Sequence, residues 1–143
     1  MSTYKIAVME GDGIGPEIVA ETVKVLQAAQ RKVDGLKLEL AELPVGLAAY
    51  ERYGSTLPSS TVEALKTCDG GILGPVTTHV YNVHDESMVN PSGKLRTELD
   101  LYANLRPARN FPGVNTRFEN VDMLIVRENT EGMYADRNLH EGN

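Results

Sequence analysis

Ile6-Ala7-Val8-Met9-Glu10-Gly11-Asp12-Gly13-Ile14-Gly15-Pro16-Glu17 is the stretch on which the reading of this chain turns. A short apolar run stops at a glycine cluster, and a proline and a glutamate then open an amphipathic segment. That order reads as strand, tight turn, helix. A helix N-terminus following such a turn carries unpaired backbone N–H groups and the positive end of the helix dipole, which suits an anion or a cofactor. The glycines at 11, 13 and 15 give G-x-G-x-G. The dinucleotide fingerprint G-x-G-x-x-G places its last glycine where Pro16 stands, and no Gly-Lys-Ser/Thr follows to make a phosphate-binding loop. Spacing alone therefore leaves an ordinary strand-to-helix turn and a ligand cradle both open.

Working outward, residues 4–9 read as a buried strand. Pro16 to about Arg31 reads as a helix with apolar positions at Ile18, Val19, Val23, Leu26 and Ala29, stopped by Gly35. Leu36-Lys37-Leu38-Glu39-Leu40 alternates strictly, as a half-buried strand does. Residues 45–53 read as a short helix ended by Gly54. Ser60-Thr61-Val62-Glu63 has the form of a capping box for a helix running to about Thr67. Gly70 to Pro75 reads as a third short strand entering a turn. Residues 77–93 read as a long polar loop, a kind that is usually functional or disordered. A helix is expected from about Lys94 to Leu101, an alternating strand at 102–106 stopped by Pro107, and an apolar central strand from Val121 to Val126. Strands alternating with helices predict an α/β fold with a largely parallel sheet, whose ligands gather at the carboxyl ends of the strands.

The chain has 143 residues, 41% of them hydrophobic and 24% charged, with a net charge of −6. That is one domain's worth of material with enough apolar residues for a core. The negative balance argues against a nucleic-acid surface or a basic membrane face. No run of 18 apolar residues is present, and the N-terminus enters a strand without a basic leader, so a cytoplasmic protein is expected. Its single cysteine, Cys68, cannot form an internal disulfide and reads as a buried structural thiol. His79, His84 and His140 lack metal-ligand spacing and read as surface residues. No G-x-S-x-G elbow supports a hydrolase.

Arg106 and Arg127 close strand-like runs, and Arg96 lies on the helix just before them. Guanidinium forks match carboxylates in a bidentate way. If the three met at separations of about 6 Å, each pair would repel by roughly 3 kcal/mol at an effective dielectric near 20, so the trio would require a polyanion between them. Arginines at strand ends are more often solvated or paired locally, and Glu98, Asp100 and Glu128 are close in sequence. Tyr134, seven residues past Arg127, has the chemistry of a proton donor in a dry site and equally that of a packing tyrosine.

Together these blocks resemble the isocitrate/isopropylmalate dehydrogenase family. The resemblance is carried by Gly11-Asp12-Gly13-Ile14-Gly15-Pro16-Glu17, by Gly71-Ile72-Leu73-Gly74-Pro75, and by Leu95-Arg96 with Leu99-Asp100-Leu101-Tyr102-Ala103-Asn104-Leu105-Arg106-Pro107. Ile125-Val126-Arg127-Glu128-Asn129-Thr130-Glu131-Gly132-Met133-Tyr134 completes it. The blocks stand in the family's order and span nearly the whole chain. The resemblance implies an α/β fold of the family's kind, a parallel or mixed sheet flanked by helices. Residues 1–101 would be the first part of a large α/β domain and residues 102–143 the start of a small, dimer-forming domain. It further implies oxidative decarboxylation of a 3-substituted malate of the isocitrate, homoisocitrate or 3-isopropylmalate type, with NAD or NADP and with Mg²⁺ or Mn²⁺. By position, Arg96, Arg106 and Arg127 match the clamp on the substrate carboxylates, Ser92 a substrate hydroxyl contact, and Tyr134 the catalytic tyrosine. Ile14 and Thr77 match nicotinamide-side cofactor contacts. The implied partners are a small di- or tricarboxylate and a second copy of the chain in a homodimer.

Family members are more than twice as long. Their metal-binding aspartates, adenine-binding loop and a lysine donated across the dimer have no counterpart here, so the metal ligands are expected outside this chain, which reads as cut. A chain of this length is expected to be inactive by itself, with exposed sheet edges that drive self-association. The competing reading is a non-catalytic fragment, or a regulatory or binding subunit. The segment before Arg96, Met88-Val89-Asn90-Pro91-Ser92-Gly93-Lys94, matches neither the isopropylmalate nor the bacterial isocitrate pattern. The Arg-Glu-Asn-Thr-Glu-Gly block at 127–132 leans toward the isocitrate or homoisocitrate type.

Overall fold

A computed structural model describes residues 2–130, which fall into two compact units divided between Glu98 and Leu99. In the first unit, three parallel strands stand in the order β2-β1-β3, with β1 at Ser2–Met9, β2 at Leu36–Glu42 and β3 at Gly70–Leu73. The central strand β1 is exposed at its start and buried at its end, where Ala7, Val8 and Met9 are at most 5% exposed. The carboxyl ends of β1 and β3 thus lie side by side over the core. β2 alternates between half-buried and exposed positions, as its sequence predicts, apart from one added half-buried residue at Ala41.

Helix α1 (Gly15–Gln30) links β1 to β2, with Pro16 in its first turn and Glu17 beside it, the expected start. Helix α2 (Gly46–Tyr53) ends as expected at Gly54, whose left-handed φ of 73° lets its N–H return to the Tyr50 carbonyl at 2.8 Å. Helix α3 (Ser59–Lys66) corrects the capping-box reading. Pro58 occupies the cap position and no side chain caps the helix. Glu63 pairs with Lys66 at 2.8 Å instead of reaching back. The buried Thr61 hydroxyl donates to the Pro44 carbonyl at 2.8 Å, tying α3 to the segment before α2.

Helix α4 spans Pro91–Glu98, earlier than the expected Lys94 to Leu101. Proline is favoured at a first helical position, and Asn90 just before it accepts the Gly93 N–H through its side chain at 3.3 Å. Asp100, at φ 47°, cannot continue the helix. Residues 77–90 are ordered by specific bonds and carry a 3₁₀ turn at Thr78–Val80. Cys68 is half-buried, not buried, with its thiol donating to the Ala64 carbonyl at 3.5 Å.

The second unit contains an antiparallel ribbon of β4 (Ala103–Arg109) and β5 (Asp122–Glu128). Pro107 does not stop β4. It lies opposite Leu124 in a two-stranded ribbon, where a strand edge without a partner tolerates its missing N–H. The apolar run from Val121 to Val126 predicts a central strand. Among the described residues β5 pairs with β4 alone, and Met123 to Val126 are each about half exposed or more. Its nearly continuous apolar run reflects apolar residues on both ribbon faces.

One carboxylate joins the loops that cap the first unit's sheet. Asp12 is only 5% exposed. Its Oδ1 accepts the Leu47 N–H at 2.6 Å, satisfying a first-turn donor of α2 that Val45 leaves uncapped. Its Oδ2 accepts the Tyr81 hydroxyl at 2.6 Å, the Thr77 N–H at 2.9 Å and the Thr77 hydroxyl at 3.3 Å. Burial works to raise the Asp12 pKa, but the bonds from Tyr81, Leu47 and Thr77 outweigh it and hold the carboxyl below its usual range. Burial, then the neighbouring Asp12 charge, pushes the Tyr81 phenol well above its ordinary value.

A Cβ at Gly11 would sit 2.2 Å from the Pro75 carbonyl oxygen, on a backbone already at φ 77°. Gly11→Ala is expected to cost about 2–4 kcal/mol in urea unfolding. Gly54→Ala has the same left-handed backbone but open space around it, and is expected to cost about 1 kcal/mol. Because the folded-state pKa of Tyr81 is raised, its contribution is complete below the ordinary phenol value of 10.0 and is lost as pH climbs above it. The urea midpoint is expected to fall more steeply above that pH in the native protein than in Tyr81→Phe, which has no such proton to lose.

Candidate active site

The carboxyl ends of β1 and β3 present two loops to one another. Asp12 N–H donates to the Pro75 carbonyl at 2.8 Å, and Gly74 N–H to the Met9 carbonyl at 2.8 Å, so the loops are laced along the backbone. Several N–H groups expected to be free are thus used internally. Gly15 and Gly74 serve the same close approach, since a Cβ on either would fall within 2.1 Å of the Glu10 carbonyl oxygen. What remains on the surface is the tip of the first loop, Gly13 and Ile14. Ile14 is 60% exposed, and Gly13 faces the Thr77 methyl, which a Cβ at position 13 would meet at 3.4 Å. Ile14 and Thr77, both singled out from sequence, therefore belong to adjoining loops.

Sequence reasoning missed the residue that organises them. Asp12 accepts four hydrogens, three on Oδ2 and one on Oδ1, so this buried carboxylate acts as a structural acceptor that joins three segments. The available signal was an acidic residue among glycines at the end of a buried strand. Its partners Leu47, Thr77 and Tyr81 lie 35, 65 and 69 residues away.

A second carboxylate fixes the rest of the long loop. Asp85 accepts the Tyr50 hydroxyl at 2.8 Å and the Ser87 N–H at 2.9 Å. Hydrogen bonds from Ser87, followed by that from Tyr50, hold the Asp85 carboxyl below its usual range. The fully buried Thr56 donates its hydroxyl to the Val89 carbonyl at 2.7 Å. The loop therefore enters α4 from a fixed point. On α4, Ser92 and Arg96 are one turn apart, and an Arg96 Nη2–H donates to the Ser92 hydroxyl oxygen at 3.3 Å. The two residues expected at the substrate are thus brought together, both half-buried.

In the second unit, the register sets Arg127 opposite Asn104 and Arg106 opposite Ile125. Opposed residues share a face, as do residues two apart along a strand. Arg106, Asn104 and Arg127 therefore occupy one face of the ribbon, the two arginines as diagonal neighbours. Arg106 Nε–H donates to the Asn104 side-chain oxygen at 3.2 Å. The register thus gives one face of the ribbon two cationic residues. Tyr134 and His140 lie outside the described residues; His79 and His84 are exposed. Among the described residues, no group of three or more His, Cys, Asp or Glu is placed to hold a metal ion. No helix among them is long and apolar enough to cross a membrane.

The chain is 40% identical over 131 residues to a 3-isopropylmalate dehydrogenase of Sulfurisphaera tokodaii, covering 92% of this chain and 36% of the relative. It is 40% identical over 134 residues to an isocitrate/homoisocitrate dehydrogenase of Thermus thermophilus, covering 94% and 38%. Among solved structures, isocitrate dehydrogenase from Methylococcus capsulatus superposes with a TM-score of 0.74 at 39% identity, covering 92% of this chain and 36% of that one. A beta-decarboxylating dehydrogenase from Thermococcus kodakarensis gives 0.67 at 31% identity, covering 90% and 35%. The chain spans little more than a third of the length of these relatives. The family model described as isocitrate/isopropylmalate dehydrogenase matches residues 5–142. With its parallel β2-β1-β3 sheet and its arginine-bearing ribbon, the chain belongs to the isocitrate/isopropylmalate dehydrogenase family.

Proposed function

We propose that the protein carrying this chain is an NAD(P)- and divalent-metal-dependent dehydrogenase that oxidatively decarboxylates a 3-substituted malate of the isocitrate, homoisocitrate or 3-isopropylmalate type. The observation that carries this reading is the pair Arg106 and Arg127 on one face of the β4–β5 ribbon, in a chain of that family. Two fixed cations on one face are suited to a substrate with more than one carboxylate. Arg96, oriented by Ser92, is the third cation of the clamp, and Ser92 is poised to meet a substrate hydroxyl. On this reading the first unit is the start of a large domain and the second the start of a small, dimer-forming domain, in a cytoplasmic homodimer.

The chain's own residues bind and orient in this chemistry. The Gly13–Ile14 tip and Thr77 offer an apolar surface beside a hydroxyl whose direction is already fixed, which fits a flat ring bearing a polar substituent. The arginines neutralise the substrate carboxylates. Tyr134 is the residue assigned to returning a proton to carbon once carbon dioxide has left. The divalent cation, held by residues outside the described set, supplies polarisation of the C2 oxygen when bound.

In the complete protein, Arg127→Ala is expected to lower kcat/KM about 100-fold or more, equivalent to about 3 kcal/mol of transition-state stabilisation. Tyr134→Phe is expected to lower kcat by about 100- to 10,000-fold with little change in substrate KM. Steady-state reduction of NAD or NADP with isocitrate, homoisocitrate and 3-isopropylmalate in the presence of Mg²⁺ or Mn²⁺ measures both. Wild-type rates in both variants would overturn the site assignment.

A further inference from the structure

Asp12 spends its two oxygens differently. Oδ1 serves architecture, accepting the α2 donor Leu47 N–H at 2.6 Å. Oδ2 gathers Thr77 and Tyr81, which stand on either side of the Thr78–Val80 turn, so a single oxygen staples both ends of that turn. Thr77 gives this oxygen both of its hydrogens, from the backbone N–H at 2.9 Å and from the hydroxyl at 3.3 Å. An ionised carboxylate only accepts, so the Thr77 hydroxyl hydrogen is committed and its oxygen keeps lone pairs alone for any further partner.

We propose that Asp12 is a positioning residue for cofactor binding, holding Thr77 so that its hydroxyl oxygen meets the nicotinamide side as a hydrogen-bond acceptor. This rests on the reading of Thr77 as a cofactor contact. It names the group Thr77 takes: a donor, the carboxamide amino group, in preference to the carboxamide oxygen. Asp12 acts through Thr77 and not on the ligand, because it is only 5% exposed and its Oδ2 already takes three donors.

The discriminating variant is Asp12→Asn in the complete protein. Asparagine keeps the volume and, with its oxygen toward Leu47, keeps the α2 cap. Its amino group then faces the Thr77 N–H, donor against donor, and the hold on Thr77 is lost. Binding is read by titration with NADH and NADPH, and with their 3-acetylpyridine analogues, which lack the amino group. Asp12→Asn and Thr77→Val are each expected to weaken the natural cofactor about tenfold or more, the double variant no further, and the analogue scarcely at all. Losses that multiply in the double variant, or equal losses for the analogue, overturn the proposal.

Amide hydrogen exchange of the cofactor-free protein separates this proposal from the cofactor reading beneath it. Loss of protection at Thr77 but not at Leu47 in Asp12→Asn supports the positioning role. Unchanged protection at Thr77 overturns it. Unchanged cofactor affinity in Thr77→Val, with Thr77 protection lost in Asp12→Asn, overturns the cofactor reading and leaves the staple standing. Should Asp12→Asn fail to fold, Tyr81→Phe keeps the carboxylate and removes one donor. It is expected to weaken cofactor binding about threefold and to speed exchange at Thr77, and no change in either overturns the proposal.

Discussion

A buried carboxylate without partners costs several kcal/mol in a protein interior, so Asp12 depends on the donors that surround it. Two come from backbone N–H groups and two from hydroxyls, supplied by the start of α2 and by both flanks of the 3₁₀ turn. The dependence runs in both directions. The α2 terminus has no side-chain cap of its own and takes Asp12 instead, while the turn after β3 is held at both flanks by the same carboxylate. The glycines around Asp12 allow this closeness: a Cβ at Gly46 would fall 2.2 Å from Asp12 Oδ1.

The helices that sequence located well are those whose ends are set locally. Pro16 and Glu17 start α1, and Gly54 ends α2, because capping is a matter of a few neighbouring residues. Where two local signals competed, the weaker-looking one prevailed. Pro58 placed the start of α3 ahead of the capping box, and Asn90-Pro91, read as loop, is a cap followed by a first-turn proline. Pro107 misled for a different reason. Its effect depends on whether the strand has a neighbour on its N–H side, and that is tertiary information. The hub at Asp12 was hidden for the same cause, its partners being distant in sequence.

The candidate site was legible as chemistry but not as geometry. Arginine, serine and tyrosine side chains announce what they can bind or donate. Their meeting depends on register. The β4–β5 pairing settles it for Arg106 and Arg127, since a slip by one residue would send one of them to the opposite face. Ser92 and Arg96 meet through helical spacing alone, but sequence reading began the helix at Lys94 and so left Ser92 in the preceding loop.

The ribbon that bears the two arginines has apolar residues on both faces and backbone groups along its outer edges. Two strands of this kind are marginal in water by themselves. Polypeptide packed against such a ribbon would add rigidity to the side chains it bears. Under the proposed carboxylate clamp, anion affinity and burial of that ribbon are thermodynamically linked: loosening the cover weakens the grip, and a bound anion tightens the cover in return.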